Sequence, residues 1–265
     1  MKNNILALIS VRTSSRRLPN KALIKLKNIN ILDRVILNLK GSNLIDKIIV
    51  TTSLNSADKT IYNYCKKKNY ECFRGDEINV IKRFYDASKK YKPKIIIRVT
   101  GDNPFTSFEL TDFMIRKHFK NKVDFTYMDK KKLPSGVCPE IISFQALKKI
   151  LSFDLNFDFS EYMTFYFINN KDIFKIKRLA PPKRLISPIK RMRLTLDYKN
   201  DLLLIKKILD CLDNRESAIS LNEIYDVINK NKSWLNINKN INPIWKKDKN
   251  LVMKIKNLSR ISLNN

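Results

Sequence analysis

Short apolar runs alternate with longer stretches in which apolar residues recur every three or four positions, and this alternation fills the first half of the chain. Residues 5–10 predict a buried strand, followed by a polar loop and a helix over 31–40. Strands over 47–52, 70–73 and 94–100 then alternate with helices over 56–68, 79–91 and 108–120. Ser56 reads as the N-cap of the first of these helices, and Val80, Phe84 and Ala87 share one face of the second. A β-α-β-α order builds a mostly parallel sheet with helices on both faces, because each parallel crossover needs a covering element. Ligands of such sheets bind beyond the carboxyl ends of the strands.

The second half is less regular. Strands are predicted over 124–127, 140–143, 173–179 and 191–196, and helices over 144–151, 160–168, 201–212 and 221–229. A loop marked by Pro181, Pro182 and Pro188 separates the last two strands. The pattern reads as one domain over 1–242 with an insertion at about 124–180, then a basic, weakly patterned tail over 243–265. That tail fits either a disordered segment or one that touches an acidic membrane surface. No run approaches the roughly 20 apolar residues of a membrane span. The first apolar run is too short for a signal peptide, so a cytoplasmic location is expected.

Composition narrows the chemistry. The 265 residues carry 53 Lys plus Arg against 25 Asp plus Glu, formally +28. A basic balance suits polyanionic partners. The excess is spread, however: residues 227–265 hold nine Lys/Arg and one acid, only +8 of the total. That favours a solvated basic surface over one nucleic-acid patch, and no nucleic-acid-binding signature accompanies it. Cys65, Cys72, Cys138 and Cys211 form no C-x-x-C pair and read as reduced, partly buried thiols. His118 is the only histidine, in a lysine-rich helical stretch where a solvated imidazole is expected. This argues against a Ser-His-Asp triad and a multi-histidine zinc site. Carboxylates, lysine, arginine, hydroxyls and backbone amides remain, a set that suits Mg²⁺ and phosphate.

Three segments hold candidate chemistry. The loop after the first strand, residues 12–21, contains Arg12, Arg16, Arg17 and Lys21 with Thr13, Ser14 and Ser15. At a strand's carboxyl end it could wrap a triphosphate and neutralise charge on a leaving pyrophosphate; read alone, it serves equally as an exposed basic loop. Residues 98–104 end a strand at Thr100, turn at Gly101 and place Asp102 at the sheet edge, as a metal carboxylate or as the opening of an Asx turn before Pro104. Residues 193–197 repeat the plan with Asp197, either a second metal carboxylate or a residue at the start of a helix.

In order, these segments resemble the cytidylyltransferases, above all the SpsF-type spore-coat polysaccharide biosynthesis proteins, relatives of the acylneuraminate and 3-deoxy-manno-octulosonate cytidylyltransferases. The loop is similar to R-x-G-S-x-R-L-P-G-K, and 73–85 to F-R-G…D-V-L-x-R-Y-Y. Arg98 to Pro104 resembles R-x-T-G-D-x-P, and Gly136 with Glu140 resembles G-x-x-x-E. Glu161, Thr164 and Tyr166 follow E-H-x-T-x-Y, Arg193 to Asp197 with Asp201 follows R-x-T-x-D…D-L, and 231–239 is similar to N-P-x-L-x-x-I-N-K. The resemblance implies a Rossmann-like nucleotide-diphospho-sugar transferase fold and transfer of CMP from CTP to a sugar or sugar acid. It assigns Mg²⁺ to Asp102 and Asp197, catalysis to Arg12, Lys21 and Asp102, and the nucleotide to Arg12, Ser14, Ser15, Arg17, Lys21, Arg74, Arg83 and Asp102. Glu140, Glu161 and Tyr166 would face the sugar, and relatives often form homodimers. Ser14 and Asn20 stand where the family usually has glycine, Tyr162 where it has histidine and Cys138 where it has aspartate. Two other readings stay open: a non-catalytic or glycosyltransferase relative that binds a nucleotide-sugar, and a charge-driven binder of nucleic acid or anionic surfaces.

Overall fold

A computed structural model describes residues 4–15, 17–189, 192–213, 216–241 and 248–262. In chain order the strands are β1 (Ile5–Ser10), β2 (Lys25–Leu26), β3 (Ile29–Asn30), β4 (Lys47–Ser53), β5 (Cys72–Gly75), β6 (Ile95–Thr100), β7 (Phe125–Met128), β8 (Glu140–Ser143) and β9 (Ile176–Leu179). The α-helices are α1 (Ile31–Lys40), α2 (Lys59–Lys67), α3 (Val80–Ser88), α4 (Phe108–Asn121), α5 (Phe144–Ile150), α6 (Met163–Ile168), α7 (Lys199–Cys211), α8 (Leu221–Lys230) and α9 (Lys249–Leu258).

Seven strands form one sheet in the order β5-β4-β1-β6-β8-β7-β9. All pairings are parallel except those of β8, which runs against both β6 and β7. The expected mostly parallel α/β sheet is therefore present, and the segment over 124–180 supplies its far edge. Alternation across the pleat divides the core. Ile5, Ala7 and Ile9 of β1 point into a layer with α1, α4, α7 and α8, while Leu6 and Leu8 point into one with α3, α5 and α6. Both layers cover the sheet, so its central strands are apolar on both faces.

Four features differ from the sequence reading. A 3₁₀ turn over Ser56–Asp58 precedes α2, and Asn55, not Ser56, caps it by accepting from the Ala57 N–H at 3.0 Å. The strand expected over 191–196 is a strap instead, described from Met192 onward: Arg193 makes a single bridge to Ser135, and the Leu196 N–H donates to the Asp102 carbonyl. Its pattern is apolar and alternating because Met192, Leu194 and Leu196 are buried, but charged partners hold it across a sheet end. His118 is buried at 3% exposure, with Nδ1 2.8 Å from Thr126 Oγ1, because α4 lays this face on β7. Burial pushes its imidazole down to about 4. Part of the basic tail folds as α9, and Ile255 and Ile261 are buried. The Ile261 N–H donates to Asn170 Oδ1 at 2.8 Å, which docks the tail beside α6. Arg16 and residues 242–247, where the tail was expected to begin, lie outside the described residues.

Candidate active site

The carboxyl ends of β1 and β6 lie side by side, with Ser10 opposite Thr100. The Gly101 N–H donates to the Ser10 carbonyl at 2.9 Å, and a Cβ at Gly101 would meet Val11 Cγ2 at 2.7 Å. Glycine is therefore what lets the two strand ends close, and this places Asp102 at the sheet's edge.

The loop after β1 is tied at its base by a residue that the sequence reading did not single out. Asp58 is buried and accepts from the Thr13 N–H at 2.8 Å and the Thr13 hydroxyl at 2.7 Å. Its second oxygen accepts from the Ser53 hydroxyl at 2.5 Å. Burial opposes the charge, but the hydrogen bonds from Ser53 and Thr13 outweigh it and hold this carboxyl below its usual range. The signal was an acid just past the end of β4, on the same sheet edge as Asp102. At the other end of the loop Asn20 takes a left-handed conformation at φ 53°, a geometry asparagine accepts where glycine is usual. The loop makes no such demand on Ser14, which is exposed at its tip. Ser15 Oγ lies 3.4 Å from the Leu18 N–H.

Lys21 opens a short 3₁₀ turn, and its ammonium joins the two candidate aspartates. Nζ donates to Asp102 Oδ2 at 2.6 Å, to the Leu196 carbonyl at 2.9 Å and to Asp197 Oδ1 at 3.0 Å. Burial works against this cation, yet Asp102 and Asp197 more than offset it and raise its pKa. Arg17 reaches the same Asp197 oxygen at 2.7 Å and lies over the Tyr198 ring, 5.2 Å from its centroid.

Asp197 is fixed from behind. Arg193 Nη2 donates to its Oδ2 at 2.6 Å, while Arg193 Nε and Nη2 donate to the two oxygens of buried Asp201 at 2.8 and 3.0 Å. Asp201 also accepts from the Asp197 and Tyr198 N–H groups, and Asn238 Nδ2 reaches it at 3.0 Å. This network explains why Arg193, Asp197, Asp201 and the asparagine of the 231–239 segment occur as a set. Burial would raise the Asp197 carboxyl, but Lys21, Arg193 and Arg17 push it down to about 2.

Around this centre the remaining candidates divide. Arg12 pairs with Glu161, joining the loop to the segment before α6. Glu140, buried on β8, accepts from Arg98 Nη1 at 2.9 Å and from the Thr164 hydroxyl. Arg98 Nη2 donates to the Glu161 carbonyl at 2.6 Å. Arg83 is fully buried beneath the loop, donating to Ser10 Oγ at 3.1 Å and the Asp76 carbonyl at 2.8 Å, and burial together with Arg12 pushes it down to about 10. Arg74 donates to the carbonyls of Ser53, Leu54 and Asn55, where it clamps the end of β4. Tyr166 lies in the core rather than at the site: it is fully buried, stacked on Phe157, with its hydroxyl donating to the Asn156 carbonyl at 2.6 Å. Tyr162, half-buried, lies within electrostatic reach of Arg17, Asp197 and Arg12.

Asp102 and Asp197 offer hard carboxylate oxygens from two separate segments, and no group of three or more His, Cys, Asp or Glu side chains suited to a metal occurs among the described residues. That donor set fits a magnesium-like ion, which is held by one or two carboxylates with water and substrate oxygens completing its sphere.

A family match and a superposed cytidylyltransferase structure make this α/β chain a nucleotidyltransferase. A cytidylyltransferase family profile matches residues 6–245, and the chain belongs to that family. The spore coat polysaccharide biosynthesis protein SpsF of Bacillus subtilis is 34% identical over 211 residues, 78% of this chain and 86% of that protein. The structure of a cytidylyltransferase from Leptospira borgpetersenii superposes with a TM-score of 0.79 at 25% identity, over 91% of this chain and 98% of that one. A CMP:2-keto-3-deoxy-manno-octonic acid synthetase solved with CTP shares the fold, with a TM-score of 0.59 at 11% identity over 78% and 99% of the two chains.

Proposed function

We propose that this enzyme transfers CMP from CTP to a hydroxyl of a sugar or sugar acid, releasing pyrophosphate, in the synthesis of a surface glycan. The observation that carries this reading is the meeting of Asp102 and Asp197 on the Lys21 ammonium, beside Arg17. Family membership supports the cytidylyl donor, and the similarity to SpsF supports a polysaccharide context.

Asp102 and Asp197 would hold a divalent cation, with Mg²⁺ the reading favoured by the donor set. When bound, the ion supplies charge neutralisation and in-line alignment at the α-phosphate. Arg12, Ser14, Ser15, Arg17 and Lys21 line the loop that receives the triphosphate, and the cations offset charge building on the leaving pyrophosphate. Arg193 and Asp201 hold Asp197 in place. The acceptor oxygen forms the new bond to the α-phosphorus and its hydroxyl proton is released; the bond to the bridging oxygen breaks, and pyrophosphate departs with the electron pair. Arg83 supports the loop from below and Arg74 the neighbouring strand end, on the nucleoside side. Glu140 and Glu161, with Thr164 and Tyr162 near them, form the acceptor side.

The test is pyrophosphate release from each of the four nucleoside triphosphates with a panel of sugars and sugar acids, with and without Mg²⁺. CTP-selective, metal-dependent release that disappears in Asp102→Asn is expected. Turnover independent of metal, or retained in Asp102→Asn, would overturn the reading.

A further inference from the structure

The three hydrogens of the Lys21 ammonium are all in use. They point at Asp102 Oδ2, the Leu196 carbonyl and Asp197 Oδ1, at 2.6, 2.9 and 3.0 Å. An ammonium has three donors and no more. Lys21 therefore cannot hold these three acceptors and also donate to a phosphate oxygen. The carboxylates it holds are the pair proposed for the metal.

Resting on the metal and CTP reading above, we propose that Lys21 is an internal competitor for the divalent cation, a residue that makes metal binding and triphosphate binding depend on each other. A cation that takes Asp102 and Asp197 repels the ammonium already there and releases it. A triphosphate beside the site then receives the freed lysine. Neither ligand alone satisfies every charge: the metal alone leaves Lys21 without its anions, and the triphosphate alone finds Lys21 engaged. Together they exchange partners completely.

The surrounding contacts determine which cations move. Asp197 Oδ1 carries Lys21 and Arg17, whereas Oδ2 carries Arg193. Arg193 is anchored by two further hydrogen bonds to buried Asp201, so it stays. Arg17 extends from an exposed loop position and Lys21 sits on a four-carbon stem, so these two can turn toward phosphate. Arg12, on the same loop as Arg17 and Lys21, is a third cation engaged by a protein acid, Glu161 from the turn before α6. Linkage between two ligands is reciprocal, so whatever the triphosphate does to the metal's affinity, the metal does to the triphosphate's.

The experiment measures Mn²⁺ binding to the full chain without nucleotide, by the loss of the free-ion electron paramagnetic resonance signal, for wild type, Lys21→Met and Arg17→Ala. Lys21→Met is expected to bind Mn²⁺ at least about tenfold more tightly than wild type, within the usual span of such couplings. Arg17→Ala, which removes one of the two cations on Asp197 Oδ1 and leaves Lys21 on both aspartates, should gain by a smaller factor. Because Lys21→Met leaves two carboxylates facing each other, thermal unfolding is read in parallel. Mn²⁺ should raise its midpoint by more than it raises that of wild type. If Lys21→Met binds Mn²⁺ no more tightly than wild type, while wild type still binds Mn²⁺ in the presence of CTP, the competition is wrong and the proposed activity stands. If wild type shows no Mn²⁺ at the protein even with CTP, both readings fail.

Discussion

Arg193 and Asp201 are joined twice, Nε to Oδ1 and Nη2 to Oδ2, and Asp201 has no exposed surface. The pair sits one layer behind Asp197, which shares the Nη2 of Arg193. The position of the second candidate metal carboxylate thus depends on a buried ion pair behind it. Asp201→Asn keeps the shape but leaves the guanidinium short of its buried counter-charge. A loss of about 3 kcal/mol or more in unfolding free energy is expected, measured by urea denaturation at neutral pH. A loss under about 1 kcal/mol would mean that Asp197 alone neutralises Arg193.

Asp197 also sets an acid-side signature. With its folded carboxyl near 2, the unfolded chain binds more protons than the folded one between about pH 4 and 2. Its contribution is complete above the ordinary aspartate value and is lost as pH falls toward 2. Asp197→Asn should flatten the decline of stability over that window, read from urea midpoints between pH 5 and 2. It should also reduce kcat/KM by more than the roughly 10–100-fold typical of outer-shell partners of a metal.

His118 gives a second signature, of the same sign and in a separate window. Its folded value, about 4, lies below the ordinary 6.5, so protons bind preferentially to the unfolded chain between those values. Stability falls as pH drops from about 6.5 toward 4, by roughly 3 kcal/mol in total. As the chain has one histidine, the upper part of this window belongs to it. His118→Gln, which can still bond to Thr126, should remove the slope between pH 6.5 and 5. An unchanged slope would place the imidazole in water.

Gly136 lies under the strap that carries Asp197. Its φ is +95°, and a Cβ there would meet the Thr195 backbone nitrogen at 2.8 Å and Asn103 Oδ1 at 3.0 Å. Gly136→Ala therefore combines a strained backbone with a clash against main chain. A loss of about 1–3 kcal/mol is expected, together with weaker metal-dependent CTP binding because Asn103 adjoins Asp102 and Thr195 lies two residues before Asp197. Thermal unfolding and CTP titration check the two halves separately.

The central strands and their helices were legible because their apolar residues are grouped by element: β1 and β6 open on continuous apolar runs, and in α1 and α3 the apolar residues recur every three or four positions. The site was legible where each side chain follows a strand end, as Asp102 does. What escaped depends on contacts distant in sequence. The alternating residues 192–196 look like a strand, yet their main-chain partners are Ser135 and Asp102 in loops. A lysine-rich helix suggests a wet histidine, but His118 is on the face that meets β7. The tail's few apolar residues gave little pattern, although Ile255 and Ile261 are enough to dock it. Asp58 and Asp201 went unassigned because a buried acid that holds other residues has the same sequence appearance as one at a helix start.

In the proposed enzyme, two aspartates from separate segments share one divalent cation with the triphosphate. Crystals grown with Mn²⁺ and a non-hydrolysable CTP analogue, measured at the manganese absorption edge, would locate that ion. An anomalous peak is expected at about 2.0–2.3 Å from carboxylate oxygens of both Asp102 and Asp197, with Lys21 turned to the phosphates. A peak bound to neither aspartate, or nucleotide bound with Lys21 still joining the two, would rule out the shared cation.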